Sequence, residues 1–147
     1  MRPARLAARC LELLGPVAGP IAVDGARAGS LASRLGGPAG IARDGETPAA
    51  AIVTFLRAPA RPAERQAVLR NLQQRLPSGS PLLVVDHNQP RALWRRPLGV
   101  LGLMLAGLPP ARARYPAARE LAGQGFDVER LRLACGERVQ LVLARRV

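Results

Sequence analysis

Three groups of residues in this chain have the type and spacing to do chemistry. In the first, the apolar run Ile21 to Val23 passes into Asp24-Gly25-Ala26-Arg27-Ala28-Gly29 and then into a helix-forming segment. Glycines at a strand-to-helix turn let bare backbone approach a ligand, and the helix start favours negative charge. Gly25 and Gly29 therefore either line a binding site or make a tight turn and nothing more. Arg27, between them, is suited to an anion or to a surface salt bridge. The second group is Asp86-His87-Asn88, which closes the apolar run Pro81 to Val85. Open α/β sheets hold ligands at the carboxyl ends of their strands. The sole histidine, with an ordinary pKa near 6.5, is there a candidate catalytic base for a substrate proton. The competing reading makes Asp86 and Asn88 caps of the turn into the next helix. The third group is Trp94 with Leu98, Leu101, Met104 and Leu105, an apolar face that reads as buried core, a dimer surface or the roof of a hydrophobic substrate site.

Those groups need a scaffold, and the order of elements supplies one. Leu6, Cys10, Leu13 and Leu14 recur at helical spacing in the segment from Arg2 to Leu14, which Gly15-Pro16 ends. A short strand at Ile21 to Val23 follows, then the glycine turn and a helix over Ser30 to Leu35. The stretch from Gly40 to Asp44 is at most a remnant strand. Ala49 to Leu56 is an almost unbroken apolar run, the pattern of a strand covered on both faces. Pro62 opens the next helix at its first turn, with Ala67 or Val68, Leu69, Leu72 and Leu76 facing inward. The strand from Pro81 to Asp86 and a greasy helical region over Arg91 to Leu108 come next. A short helix over Tyr115 to Gly123 precedes two strands, Phe126 to Leu133 and Arg138 to Arg146. Their four-residue connection requires an antiparallel hairpin.

Alternation of strands and helices predicts a parallel sheet, here with one antiparallel strand added at its end. The chain of 147 residues fits a single domain with an ordinary hydrophobic fraction of 48%. Only about nineteen residues, Ser30 to Pro48, separate the first two clear strands. One parallel crossover takes about a dozen residues or more, so one helix and one vestigial strand fill that space.

Composition excludes several function classes. The net charge of +12 comes from 22 basic residues, all of them arginine, spread from Arg2 to Arg146. Nucleic-acid modules combine a clustered basic stripe with stacking aromatics, whereas Phe55, Trp94, Tyr115 and Phe126 stand far apart. Nucleic acid is thus not among the expected partners; a solvated arginine-rich surface or an acidic ligand or partner is. Two distant cysteines and one histidine exclude a disulfide framework and an ordinary zinc site, and a reduced, cytoplasmic chain is expected. The most apolar stretch, Leu98 to Leu108, is about half the length that spans a bilayer, so no membrane partner is expected either.

In its second half the chain resembles the class I S-adenosylmethionine-dependent methyltransferases. The turn Leu76-Pro77-Ser78-Gly79 and the strand Leu82 to Asp86 resemble that family's leucine-x-proline-glycine-glycine turn and the strand after it. Gln124-Gly125-Phe126-Asp127-Val128 resembles its glycine–phenylalanine lead into the last hairpin, and Gln140 to Ala144 its final strand. The resemblance covers Ala49 to Val147, about two thirds of the chain. It implies a Rossmann-like methyltransferase fold, a mostly parallel sheet with a C-terminal antiparallel hairpin, lacking one or two elements of the N-terminal half. It also implies S-adenosylmethionine as cofactor, with Asp24, Gly25 and Gly29 in the first glycine loop and Asp44 on the ribose hydroxyls, and His87 as the catalytic candidate. The loop departs from the family pattern at Arg27, which stands where a middle glycine is usual. The third strand and its adenine-side loop have no counterpart.

Two functions follow from the resemblance. One is methyl transfer to a small-molecule metabolite. The other is a catalytically degenerate methyltransferase-like protein, a structural or regulatory partner in a homo- or hetero-dimer, with an intact methyltransferase relative as the candidate heteropartner.

Overall fold

The computed structural model describes residues 3–25, 28–35, 40–43, 45–57, 62–88, 96–105 and 116–147. Among these, five strands form one sheet: β1 (Ile21–Gly25), β2 (Ala50–Thr54), β3 (Pro81–His87), β4 (Phe126–Ala134) and β5 (Val139–Arg146). The helices that accompany them are α1 (Pro3–Leu14), α2 (Ala28–Leu35), α3 (Pro62–Arg75), α4 (Arg96–Leu105) and α5 (Pro116–Ala122), with a 3₁₀ turn at Phe55–Arg57. The sheet order is β1-β2-β3-β5-β4; β1 to β3 run parallel, β5 pairs antiparallel with β3, and β4, antiparallel to β5, runs in the direction of β1 to β3. This is the expected mostly parallel sheet closed by an antiparallel hairpin.

The apolar runs explain why β2 and β3 are central. All five residues of β2 are buried, as are five of the seven in β3, because helices cover both faces. Alternate residues serve different layers. Ala50, Ile52, Leu83, Val85, Leu141 and Leu143 pack on one face against Leu6, Cys10, Leu13 and Leu14 of α1 and Leu31 of α2. Ala51, Val53, Leu82, Val84 and Val142 pack on the other face against Leu69, Leu72 and Leu76 and against Ala117 and Leu121. Pro62 stands at the first position of α3, where its missing N–H costs no helical hydrogen bond.

The two edges of the sheet differ. On β4, Asp127, Glu129, Arg130 and Arg132 place charge along the edge, which discourages pairing with another chain, and Glu129 meets Arg145 of β5 at 2.5 Å. On the far side of β1, the described residues contribute a single parallel bridge, Ile21 to Ile41, closed by hydrogen bonds from the Ile21 amide to the Gly40 carbonyl and from the Ala42 amide to the Ile21 carbonyl. The remnant strand read at Gly40 to Asp44 is thus reduced to one bridge.

Burial separates the two cysteines. Cys10 is fully buried in the α1 layer, which pushes its thiol from the ordinary 9.0 up to about 12, whereas Cys135 is exposed in the hairpin turn. At mildly alkaline pH, Cys135 alone should react with a thiol reagent in the folded protein, and Cys10 only after unfolding. Rapid labelling of both in the native state contradicts this placement. The linked stability has a definite sign: the unfolded thiol ionises around pH 9.0, so the contribution of buried Cys10 is present below that value and lost as pH rises towards 12.

Candidate functional site

The parallel strands end flush. Gly25 faces Thr54 in register and Thr54 faces Val85, so Asp24, Gly25, Phe55 and His87 share the carboxyl edge of the sheet. Gly25 has φ +108°, and a Cβ there would lie 1.9 Å from the carbonyl oxygen of Thr54. Its glycine is required by the close approach of β1 to the β2 backbone. The Gly25 amide donates to Asp24 Oδ1 at 2.6 Å. Gly29 differs: it lies in the first turn of α2, and a Cβ there would meet nothing within 4 Å. Among the described residues nothing therefore crowds Gly29, and a ligand at the helix N-terminus needs such room. Asp44, Arg27 and Trp94 lie outside the described residues. Asp44 follows two positions after Ala42, the residue that closes the edge bridge.

His87 sits at the end of β3 with its ring against Phe55, centroids 4.8 Å apart and planes inclined at 48°. Phe55 holds φ +50°, a left-handed conformation that a bulky side chain adopts only under constraint. The His87 carbonyl accepts a hydrogen bond from Gln140 Nε2, and its amide donates to Asp86 Oδ1, so backbone on both sides of the imidazole is fixed. Gln140 is fully buried, and its Oε1 has no partner among the described residues.

The turn into the next helix, which Asp86 and Asn88 are expected to cap, lies outside the described residues. Asn88 Nδ2 donates to the Glu137 carbonyl, and its amide to the Arg138 carbonyl, tying the end of β3 to the β4–β5 turn. Asp86 turns to the opposite face of the sheet from His87, as strand alternation requires, and meets Arg65 Nη2 at 2.5 Å. The same guanidinium binds Glu120 of α5 through Nε and Nη2. Arg65 is 2% exposed. Burial opposes its charge, but the hydrogen bonds and charges of Glu120 and Asp86 outweigh that, and its pKa lies above the ordinary value. This triad locks α3, β3 and α5 together behind the candidate base.

Sequence reasoning passed over Arg65, and one signal could have found it. Positions 65, 69, 72 and 76 form a single stripe at helical spacing, so the inward face of α3 begins with an arginine. A buried arginine demands an acidic partner. In contrast, the apolar face of α4 is not core: Leu98, Leu101, Met104 and Leu105 are 63%, 55%, 60% and 72% exposed.

A groove of about 580 Å³ runs along α3 beside β1, lined by Ala22, Asp24, Ala42, Val68, Asn71 and Arg75 among others. Among the described residues it reaches the carboxyl edge at Asp24. Its floor is the flank of the sheet that a fuller set of N-terminal-half elements would cover.

A parallel sheet with this order, an antiparallel final hairpin and a glycine turn between β1 and α2 define a Rossmann-like methyltransferase fold. Solved structures agree. The chain is similar to the pyocyanin biosynthetic protein PhzM (TM-score 0.65, 15% identity, covering 98% of this chain and 55% of that one). It is similar to the mitomycin 7-O-methyltransferase MmcR (0.64, 20%, 99% and 53%). A third is the magnesium protoporphyrin IX methyltransferase ChlM of Synechocystis PCC 6803 with bound SAH (0.62, 16%, 98% and 83%). At these identities the likeness is one of fold. The chain spans about half the length of the first two. No protein-family model matches it, and no curated protein matches it in sequence.

Proposed function

We propose that this chain is an S-adenosylmethionine-dependent methyltransferase-like protein acting on a small-molecule metabolite. The observation that carries the reading is the common carboxyl edge: Asp24 and Gly25 end β1, open space lies over Gly29 at the start of α2, and His87 ends β3 two strands away. The residues fit the cofactor at one end. The α2 turn at Gly29 and the Asp24 carboxylate would hold it there, with Asp44 on the ribose hydroxyls. S-adenosylmethionine, when bound, supplies an electrophilic methyl group. The role of His87 is to accept the proton of the substrate nucleophile, and the Phe55 ring and the fixed backbone of residues 86 to 88 orient it.

A titration calorimetry experiment with S-adenosylhomocysteine tests this. Binding in the micromolar range is expected, with loss of most of the affinity in Asp24→Ala. No heat at high protein concentration would sink it.

A second reading rests on a separate observation: among the described residues one bridge, Ile21 to Ile41, lies outside β1. A sheet edge with so little strand pairing is a template for another chain. On that reading the protein is a catalytically degenerate partner in a homo- or hetero-dimer, with an intact methyltransferase relative as the heteropartner. Clean monomer behaviour in light scattering, alone and with such a relative, counts against it.

A further inference from the structure

Helix α3 carries a second stripe beside the one that joins the core. Glu64, Val68, Asn71 and Arg75 recur at helical spacing on the flank of α3 that walls the groove beside β1. Glu64, Asn71 and Arg75 are exposed, and Val68 is half-buried. The other side chains around them are short: Ala67 on α3, Ala22 and Val23 on β1, and Ala42 across the groove. Walls this low leave space that these residues do not fill among themselves.

The charges along the groove have an order. Helix α3 joins the end of β2 to the start of β3, so it runs back from the carboxyl edge of the sheet to the amino edge. Glu64, in its first turn, stands with Asp24 at one end of the groove, and Arg75, in its last turn, stands at the other. Among the described residues neither Glu64 nor Arg75 has an ion-pair partner. They lie about 16 Å apart along the helix, too far to pair with each other. Such a stripe is complementary to itself when reversed. A second α3 laid antiparallel, with the two-fold axis level with Leu69 and Arg70, sets Glu64 of each copy opposite Arg75 of the other. A two-fold interface must match a surface to itself, and this one does so at both ends. It also suits the charge of the chain. At +12 most of the surface repels a second copy, whereas this groove holds two carboxylates to one guanidinium.

We propose that a second copy of this chain docks here, the two α3 helices packing antiparallel and each lying along the other's groove over Ala22, Val23 and Ala42. This dimer differs from the strand pairing of the second reading above: its contacts are the side chains of a helix, and it holds whether or not a cofactor binds. The buried side chains are small, and charge pairs decide partner and register more than affinity. The dimer is therefore a weak one, in the micromolar range.

The test is sedimentation equilibrium of the full chain over a range of concentrations at low salt. A monomer–dimer equilibrium is expected, weakening as salt rises. E64R and R75E each set like charges opposite one another across the axis and should weaken dimerisation at least about tenfold. Both positions are exposed, so each variant should keep its circular dichroism. An equimolar mixture of E64R and R75E makes every pair across the axis opposite again and should dimerise as the wild type does. The double variant E64R/R75E should do so alone. A wild type that stays monomeric at every concentration overturns the proposal. So does a dimer that E64R and R75E leave intact, since it would belong to another surface, the β1 edge included. A mixture of the two folded single variants that fails to dimerise overturns it as well.

Discussion

Replacing Arg65 by methionine should lower the free energy of unfolding by about 3–5 kcal/mol, the usual cost of removing one partner from a buried ion pair. Arg65 is buried, and the Asp86 side chain beside it is 1% exposed, so the substitution leaves a carboxylate without water or counter-charge. Glu120 is better placed, with 24% of its side chain exposed, and can be solvated in the variant. The loss should therefore depend mainly on Asp86. Adding Asp86→Asn to Arg65→Met removes the orphaned charge, and the amide oxygen can still accept from the His87 amide. That double variant should recover a large part of the loss. Urea denaturation read by circular dichroism checks both. A single-variant cost below about 1 kcal/mol, the range of exposed pairs, would show that the triad is solvated and is not a lock. The raised pKa of Arg65 also has a consequence for pH. Its contribution is complete below the ordinary arginine value and disappears only above it, so Arg65 adds no titration of stability near neutrality.

The second large effect belongs to Gly25. An alanine there would place its Cβ 1.9 Å from the Thr54 carbonyl oxygen and 2.8 Å from the Thr54 nitrogen, both backbone atoms of the neighbouring strand, in a conformation of φ +108°. Neither the clash nor the dihedral can be relieved without moving β1 off β2. Strain and overpacking together should cost about 3–5 kcal/mol, and poor expression of soluble protein is the practical signature. Gly29 provides the contrast. It is helical, a methyl group added there would meet nothing within 4 Å, and alanine is the better helix former, so Gly29→Ala should stabilise by about 0.5–1 kcal/mol. If the space over α2 is a ligand site, the same substitution should weaken S-adenosylhomocysteine binding while raising the melting temperature. Equal tolerance of alanine at both positions would refute the distinction drawn between a packing glycine and a site glycine.

Much of this architecture is legible residue by residue. The unbroken apolar runs at Ala50 to Thr54 and Pro81 to Val85 announce strands covered on both faces, because a strand inside a sheet layered between helices buries side chains on both sides. Pro62 marks a helix start, and the connection from Ala134 to Val139 is too short for anything but a hairpin. Boundaries differ by a residue or two where they can be compared: α2 begins at Ala28, and the described part of the greasy region is helical over Arg96–Leu105. These are local decisions, set by backbone propensity and hydrophobic period, and a linear reading reaches them.

The candidate site is legible only in outline. That Asp24, Gly25 and His87 stand at strand ends follows from the sequence, because strand ends are where apolar runs stop. Their roles do not. Gly25 is tied to Thr54, a contact between positions 29 apart that no local pattern predicts. Arg65 joins Asp86 and Glu120 across separations of 21 and 55 residues; the helical stripe of positions 65, 69, 72 and 76 turns it inward, but no local pattern names its partners. Likewise, α4 is equally apolar whether covered or bare; its exposure depends on what the rest of the chain leaves beside it. Period and propensity act over a few residues, so they dictate elements. Burial of charge, close backbone approach and the exposure of an apolar face are properties of residues brought together from far apart, and only the assembled sheet decides them.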